Sequence, residues 1–220
     1  MLAKDLINKS VEPLRTSDTG EKALNLMQHH KVAHWPIVNE QKLLGVVSEQ
    51  DIVQGGKLTD PLGNCALSLE DSYVFEEQHL FEVLKKAAHF KLSLIPVVDR
   101  NHDYLGVIFG RDLLYRLSEL FMLDKPGALF VLSMGITDYS LTEIANIVES
   151  NNGKILALSV LSHPESARID LVLKLNTNEV NSIIKTFERY NYQIKAVFDE
   201  LSDQEGLKER YDMLMKYLNV

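Results

Sequence analysis

The stretch GVVSEQDI, residues 45–52, decides the fold of the N-terminal half of this 220-residue chain. Gly45 permits a turn into a strand, and the two valines that follow favour a buried, pleated surface. Ser48 then stands at a helix N-cap position, with Asp51 three residues later. Two roles are open for this pair. It is either a capping box alone, or a place where a hydroxyl, a carboxylate and free backbone N–H groups hold the phosphate and ribose of a nucleotide.

A weaker copy of this stretch, GVIFGRDL, occupies residues 106–113. The extended runs that precede the two copies, WPIV (35–38) and IPVV (95–98), match as well. Their prolines are separated by nearly the same number of residues as Gly45 and Gly106. Apolar stripes predict helices at about 19–30 and 79–90. Such internal self-similarity indicates a repeat. We therefore predict two units with the order β-α-β-β-α.

The rest of the chain predicts a different unit. Asp124-Lys125-Pro126-Gly127 marks a boundary. Strands are expected at 128–134, 154–161, 168–175 and 192–198, with one helix after a capping box at 140–143 and another at 178–190 behind Thr177. This β-α-β-β-α-β order is ferredoxin-like. An amphipathic helix is expected at 201–220, because one stripe joins Leu207, Tyr211, Leu214, Met215 and Leu218.

These patterns predict an α/β (α+β) chain with four parts. The first repeat is placed at 1–60, the second repeat at 61–123, the ferredoxin-like unit at 124–200 and the terminal amphipathic helix at 201–220. Hydrophobic residues make up 45% of the chain, which is ordinary for a folded protein with a real core.

Composition argues against several classes of protein. The net charge of −8 comes without a basic patch, so nucleic acid is not expected as a partner. The single cysteine, Cys65, excludes an internal disulfide and a Cys-rich metal site, and it fits a reducing compartment. The start lacks the layout of a signal peptide, and no apolar run nears the roughly 20 residues that span a bilayer. We expect a cytoplasmic protein that binds neither nucleic acid nor membrane.

The usual signatures of catalysis are missing from the sequence, which has no nucleophile elbow, P-loop or Gly-rich dinucleotide fingerprint. His30 and His34 are four residues apart, but the helix should end near Lys31, and no cysteine or carboxylate completes a metal-ligand spacing. We therefore predict no catalytic residue, no metal site and no obligatory cofactor, and we do not expect an enzyme.

Residues 1–120 resemble a tandem pair of CBS domains, a Bateman module, in the hydroxyl-x-x-Asp motif, the apolar-Pro-apolar-Val runs and the Gly-led final strands. Members of that family commonly bind adenosine-containing ligands such as AMP, ATP or S-adenosylmethionine in clefts between the two copies. The resemblance implies that Ser48 and Asp51 hold phosphate and ribose, and that Thr16 and Trp35 frame the adenine, with Trp35 at the cleft mouth.

The second copy departs from the family pattern. Asp112 is kept, but Phe109 occupies the hydroxyl position, where it removes a hydrogen-bonding group and fills the space of a phosphate. We therefore expect one competent adenosine site, at Ser48 and Asp51, and one degenerate site that retains Asp112.

The C-terminal unit resembles an ACT domain, a small regulatory fold that often binds amino acids. The Pro126-Gly127 pair looks like the ACT signature, but it precedes the first strand instead of following it. The loop at the family's ligand position is 135–140, where Thr137 and Asp138 are the candidate contacts for a second ligand. Two CBS copies followed by one ACT-like unit resemble the acetoin-utilisation regulatory protein type.

Three functions follow from these resemblances. The first is a non-catalytic sensor, in which an adenine nucleotide acts as the regulatory ligand and its binding is relayed through a homodimer. The second is a ligand-free dimerisation and interaction scaffold, and the third is an amino-acid sensor that uses the ACT-like unit. A regulated enzyme or transporter is the further partner expected for a sensor.

Overall fold

The strand–turn–helix unit around Ser48 occurs twice in the folded chain. A computed structural model describes residues 1–55, 58–64, 71–163 and 166–199. The chain divides into two compact units, residues 1–116 and 117–220. The expectations for Cys65 and for the helix at 201–220 fall outside the described residues.

The first repeat follows a 3₁₀ turn at Ala3–Leu6 and contains α1 (Gly20–His30), β1 (His34–Asn39), β2 (Lys42–Ser48) and α2 (Glu49–Gln54). The two strands are antiparallel, and their register places His34 opposite Ser48. The first strand of the predicted β-α-β-β-α order is reduced to one parallel bridge between Leu14 and Ile37. The Thr19 hydroxyl caps α1 by accepting a hydrogen bond from the Lys22 N–H.

The second repeat follows a 3₁₀ turn at Leu62–Asn64 and contains β3 (Val74–Phe75), α3 (Leu80–Phe90), β4 (Leu94–Val98), β5 (Tyr104–Phe109) and α4 (Gly110–Leu120). Strand β3 pairs in parallel with β4, and β4 pairs antiparallel with β5. Leu94 stands opposite Phe109, as His34 stands opposite Ser48 in the first repeat. The repeat inferred from the sequence is confirmed in this detail.

The Gly expected to lead each final strand lies inside the strand, in β2 and in β5, and its backbone conformation explains why glycine is needed there. Gly45 and Gly106 have φ angles of 153° and 140°, which residues with a Cβ rarely adopt. An added Cβ at Gly106 would also lie 2.7 Å from the carbonyl oxygen of Asn8. Each glycine pairs beside a register shift in its partner strand, so the recurring glycine marks a recurring bulge.

One buried core joins the two repeats. Trp35, Ile37 and Ile52 of the first repeat pack in the same cluster as Leu94 and Phe109 of the second. A further cluster, centred on α3, β4 and β5, includes Val83, Ile95 and Ile108. Because apolar side chains of both repeats fill one cluster, the repeats form a single packed pair.

The C-terminal unit contains β6 (Leu129–Gly135), α5 (Leu141–Ser150), β7 (Ile155–Ser162), β8 (Arg168–Leu175), α6 (Asn181–Arg189) and β9 (Gln193–Phe198), with a 3₁₀ turn at Ile136–Asp138. The sheet order is β7-β8-β6-β9, and every neighbouring pair is antiparallel. Alternate residues of β6 are buried against the helices. The predicted ferredoxin-like order, with its α+β class, is confirmed.

One boundary differs from that expected. Helix α6 begins at Asn181 and not at 178, because the Thr177 hydroxyl accepts a hydrogen bond from Glu179 N–H in a separate turn. The structural division between the two units falls after Arg116, within α4. The finer division of the chain at 60, 123 and 200 stays a prediction.

Candidate functional site

Ser48 and Asp51 form the reciprocal capping box expected from their spacing. The Ser48 hydroxyl accepts a hydrogen bond of 3.0 Å from the Asp51 N–H, and the Asp51 carboxylate accepts one of 2.9 Å from the Ser48 N–H. The box fixes the start of α2 and leaves Ser48 half-buried at the end of β2. The structural half of the expectation is confirmed, and the ligand-binding half stays a prediction.

A cavity of about 540 Å³ opens beside this helix start. Directly opposed residues of an antiparallel pair point to the same face, so His34 and Ser48 meet there. The lining residues come from the end of β2, from α2 and from the start of β1, and they are Ala33, His34, Ser48, Glu49, Gln50, Val53 and Gln54. We call this space the Ser48 cavity. Its volume lies within the range of small-molecule pockets, about 300–1,000 Å³.

His34 is a cavity residue that the sequence analysis did not select as a ligand contact. Its Nδ1 lies 2.9 Å from the Ser93 hydroxyl and accepts a hydrogen bond of 3.2 Å from the Ser93 N–H. Burial lowers the pKa of His34 below its usual value, and the nearby Asp51 carboxylate offsets part of that shift. The ring is therefore disposed to be neutral at physiological pH.

The charge around the Ser48 cavity is predominantly acidic. Within the described part of the chain, Glu49 supplies the carboxylate in the lining of the cavity. A neighbouring cavity of about 730 Å³ shares Ala33 and Glu49 with it and adds Lys31. Lys31 is thus a cation of the described chain close enough to this region to interact with an anionic group of a ligand.

The structure does not bring Thr16 and Trp35 to the Ser48 cavity. Trp35 has no exposed surface, and its indole N–H donates to the Glu12 carbonyl at 3.1 Å. The expectation that Trp35 lies at a cleft mouth is wrong because side chains alternate along a strand, so His34 faces the cavity and Trp35 faces the core. Thr16 packs against the loop after the first repeat, where its carbonyl accepts from Gly63 N–H.

In the second repeat, Phe109 fills the place that Ser48 holds in the first. Its ring is 2% exposed and stacks against His30, with ring centroids 6.0 Å apart. The Arg111 guanidinium covers the ring and donates to the His30 carbonyl. Asp112 lies in the first turn of α4 and is not part of the Ser48 cavity. The arrangement leaves no hydroxyl at this position, so the expected degeneracy has a physical basis.

The C-terminal unit contains its own cavity, of about 340 Å³, at the loop between β6 and α5. Asp138 lines it, together with Glu143, Arg168, Tyr192 and Gln193 among others. The Arg168 guanidinium donates to Ser133 and Gln193, which are neutral acceptors. Thr137 is adjacent and donates to Asp138 but does not line the cavity.

The described ranges 1–55, 58–64, 71–163 and 166–199 bear on metal binding and on membrane insertion. Across them, histidines, cysteines and carboxylates do not assemble into a cluster of three or more that could bind a metal ion. The helices in the same ranges are each too short or too polar to cross a bilayer.

Comparison with known proteins identifies the N-terminal unit. The family model described as "CBS domain" matches residues 3–55 and 69–119. Inosine-5'-monophosphate dehydrogenase of Korarchaeum cryptofilum is 28% identical over 132 residues, which are 59% of this chain and 27% of that protein. Homoserine O-acetyltransferase of Methanococcus vannielii is 24% identical over 117 residues, or 51% of this chain and 24% of the relative.

This chain therefore spans about a quarter of the length of these curated relatives. Among solved structures, a CBS domain pair/ACT domain protein of Thermotoga maritima aligns with a TM-score of 0.49 and 22% identity, covering 54% of this chain and 98% of that one. The two family matches coincide with the two structural repeats. The N-terminal half of this chain is a pair of CBS domains.

Proposed function

We propose that the CBS pair is a non-catalytic regulatory module that binds one adenosine-containing ligand, of the AMP, ATP or S-adenosylmethionine class, in the Ser48 cavity. The observation that carries the proposal is the meeting of His34 and Ser48 in a cavity of about 540 Å³ next to the helix start. Hydrogen-bond donors and acceptors on an otherwise mixed lining are what orient a nucleoside-sized ligand.

Regulation follows if the ligand favours one arrangement of the two repeats over another, because a ligand shifts an equilibrium only through its differential affinity. Because side chains of both repeats pack in one core, a movement of one repeat is transmitted to the other. A cytoplasmic setting, where adenine nucleotides are plentiful, belongs to the same proposal. A regulated enzyme or transporter is the expected receiver of the signal.

Isothermal titration of the purified chain with adenosine, AMP, ADP, ATP and S-adenosylmethionine tests the proposal. We expect saturable binding of at least one of these compounds, with a large loss of affinity in Gln50→Trp, which fills the cavity from an exposed position. The control is Lys85→Trp on the exposed surface of α3, which lies outside the Ser48 cavity. If the folded protein binds none of these compounds, the scaffold function is favoured instead.

The ligand series also separates phosphate recognition from nucleoside recognition. Glu49 opposes a phosphate in the Ser48 cavity, whereas Lys31 in the neighbouring cavity attracts one. If Lys31 holds the phosphate, Lys31→Met lowers the affinity for AMP and ATP and leaves the affinity for adenosine unchanged. If the ligand is cationic, as in S-adenosylmethionine, Glu49→Gln is the variant that weakens binding.

A second candidate function is amino-acid sensing by the C-terminal unit. The cavity beside Asp138 combines the Arg168 guanidinium with the carboxylates of Asp138 and Glu143, which matches the two charges of a free amino acid. The test is a melting-temperature screen with the twenty amino acids on the wild type and on Arg168→Met. A stabilising amino acid that loses its effect in the variant supports this function, and an unresponsive wild type excludes it for these compounds.

We also propose that the chain forms a homodimer through its CBS pair. Three apolar side chains on α2 and α4 are strongly exposed: Val53 at 64%, Leu114 at 70% and Tyr115 at 67%. Leu114 and Tyr115 are adjacent in the chain, and a contiguous exposed apolar patch is typical of an interaction site. Light scattering should give twice the chain mass for the wild type and a monomer for Leu114→Glu, whereas a monomeric wild type would contradict the dimer.

A further inference from the structure

The two repeats are joined by a hydrogen bond between Ala33 and Ser93, which hold the same place in each. The Glu49 N–H at the start of α2 donates to the Ala33 carbonyl, and the Gly110 N–H at the start of α4 donates to the Ser93 carbonyl, both at 2.9 Å. Across the pair, the Ala33 N–H donates to the Ser93 hydroxyl at 2.9 Å. Position 93 of the second repeat therefore touches the residues that lead into the Ser48 cavity.

The same serine determines the chemical form of His34. The Ser93 N–H points at the His34 Nδ1, 3.2 Å away, so that nitrogen must carry a lone pair and not a proton. The Ser93 hydroxyl already accepts from the Ala33 N–H, which leaves its own proton free to point at Nδ1, 2.9 Å away. Both contacts require Nδ1 to accept. The tautomer assigned from this network has its proton on Nε2.

A charged imidazolium does not fit the arrangement. It would place an Nδ1–H against the Ser93 N–H and lose the hydrogen bond from the hydroxyl. The Asp51 carboxylate acts electrostatically on the ring, and Glu49 lies in the lining of the same cavity. Burial nonetheless shifts the His34 pKa downward, in agreement with the hydrogen-bond geometry.

We infer that Ser93 of the second repeat holds His34 as the neutral Nε2–H tautomer, and that this N–H is the donor with which the Ser48 cavity recognises an acceptor atom of its ligand. The identity of that ligand rests on the function proposed above. Purine ring nitrogens and sugar oxygens are such acceptors, whereas an ammonium or amino group at the same point is rejected.

This assignment makes the binding site a joint property of both repeats. His34 lies in the first repeat and the residue that orients it lies in the second. A ligand that bonds to Nε2–H therefore favours the arrangement in which Ser93 stays in contact with His34. By reciprocity, any event that separates Ser93 from His34 lowers the affinity for the ligand.

The first test is the nitrogen NMR signature of His34 in the ligand-free protein. One of the seven histidines is assigned to His34 by its disappearance in His34→Gln. We expect the wild type to give the Nε2–H tautomer with an unprotonated Nδ1, and Ser93→Ala, which keeps the backbone N–H but loses the hydroxyl, to keep this tautomer with a shifted Nδ1 resonance. An Nδ1–H tautomer, or a mixture already present in the wild type, would overturn the inference.

The second test compares two replacements of His34 in AMP binding. The side-chain amide of His34→Gln still offers an N–H at the reach of Nε2, whereas His34→Leu offers none. We expect His34→Leu to weaken AMP roughly three- to ten-fold, the loss of one hydrogen bond, and His34→Gln to restore most of that loss. The matched control is His89→Leu on the exposed surface of α3, and melting temperatures confirm that each variant is folded.

The outcomes separate this inference from the function on which it rests. AMP affinity that is equal in the wild type and in a folded His34→Leu overturns the donor role of His34. A wild type that shows the Nε2–H tautomer but binds no adenosine compound overturns the adenosine proposal, while the control of His34 by Ser93 stands.

Discussion

The guanidinium carbon of Arg111 lies 4.3 Å from the centroid of the Phe109 ring. The His30 ring also stacks on Phe109, nearly parallel to it at 14°. Phe109 is thus enclosed at the position where the first repeat presents the Ser48 hydroxyl to a cavity. The two repeats share a backbone but offer different chemistry at equivalent points.

This difference predicts one ligand per chain. In titrations with the bound nucleotide, we expect a stoichiometry of one and an affinity in Asp112→Asn within about twofold of the wild type, because a single weak surface charge contributes little. The matched variant Asp51→Asn alters the carboxylate that caps Ser48 and should weaken binding clearly. Two sites of similar affinity, or equal effects of the two variants, would contradict the closed second site.

The enclosed ring also predicts a large effect on folding. Phe109→Ala should lower the free energy of unfolding by about 3–5 kcal/mol, since a fully buried aromatic side chain is replaced by a cavity. Urea denaturation followed by fluorescence of the buried Trp35, the single tryptophan of the chain, measures this loss. A change below about 1 kcal/mol would mean that the ring is not part of the core.

The two serine caps predict effects confined to separate units. Ser48→Ala removes the acceptor of a 3.0 Å hydrogen bond and should destabilise the N-terminal unit by about 0.5–2 kcal/mol. Ser140→Ala removes a longer bond of 3.4 Å at the start of α5 in the other unit. Fluorescence of Trp35 should report the first substitution and not the second. Equal shifts in both variants would argue against this assignment of caps to units.

Acid stability of the C-terminal unit depends on one buried carboxylate. The side chain of Asp170 is 7% exposed, and Lys195 lies 2.5 Å away. The hydrogen bond from Lys195 lowers the Asp170 pKa, an effect that burial opposes and that His163 reinforces. The depressed pKa stabilises the fold above the unfolded-state value, and this contribution is lost as the pH falls through the folded-state pKa.

Lys195→Met should therefore raise the Asp170 pKa and move acid unfolding of this unit to higher pH. Amide hydrogen exchange along β8, measured from neutral pH downward, follows the transition. Lys154→Met is the matched control, because Lys154 forms an ion pair with Glu149 in which both side chains are exposed, at 66% and 56% respectively. An unchanged acid transition in Lys195→Met would show that the pair does not stabilise the native unit.

Much of the fold could be predicted from local patterns. The matching prolines, glycines and apolar runs predicted the repeat because each has a backbone consequence: the same strand register and the same positive φ at Gly45 and Gly106. Alternation and capping residues predicted the order of the C-terminal unit. The start of α6 was misplaced because Thr177 forms a local turn in competition with a helix cap.

The candidate site was harder to predict, because it depends on which face of a strand each residue occupies. Ser48 and Asp51 were found through their spacing. The family resemblance points to Trp35, and only the pairing of β1 with β2 shows that its neighbour His34 shares the face of Ser48. Ser93 and His34 are far apart in the sequence, so no local pattern could predict their contact.

The most direct test of the account is an NMR titration of the isotope-labelled full chain with AMP. We predict saturable shifts of backbone amides that cluster at 33–34 and 48–54, around the Ser48 cavity. The equivalent residues of the second repeat, 93–94 and 109–115, should move less, and Ser93 should be the one among them that responds. Equal shifts in both repeats, or shifts confined to the C-terminal unit, would contradict a single adenosine site at Ser48.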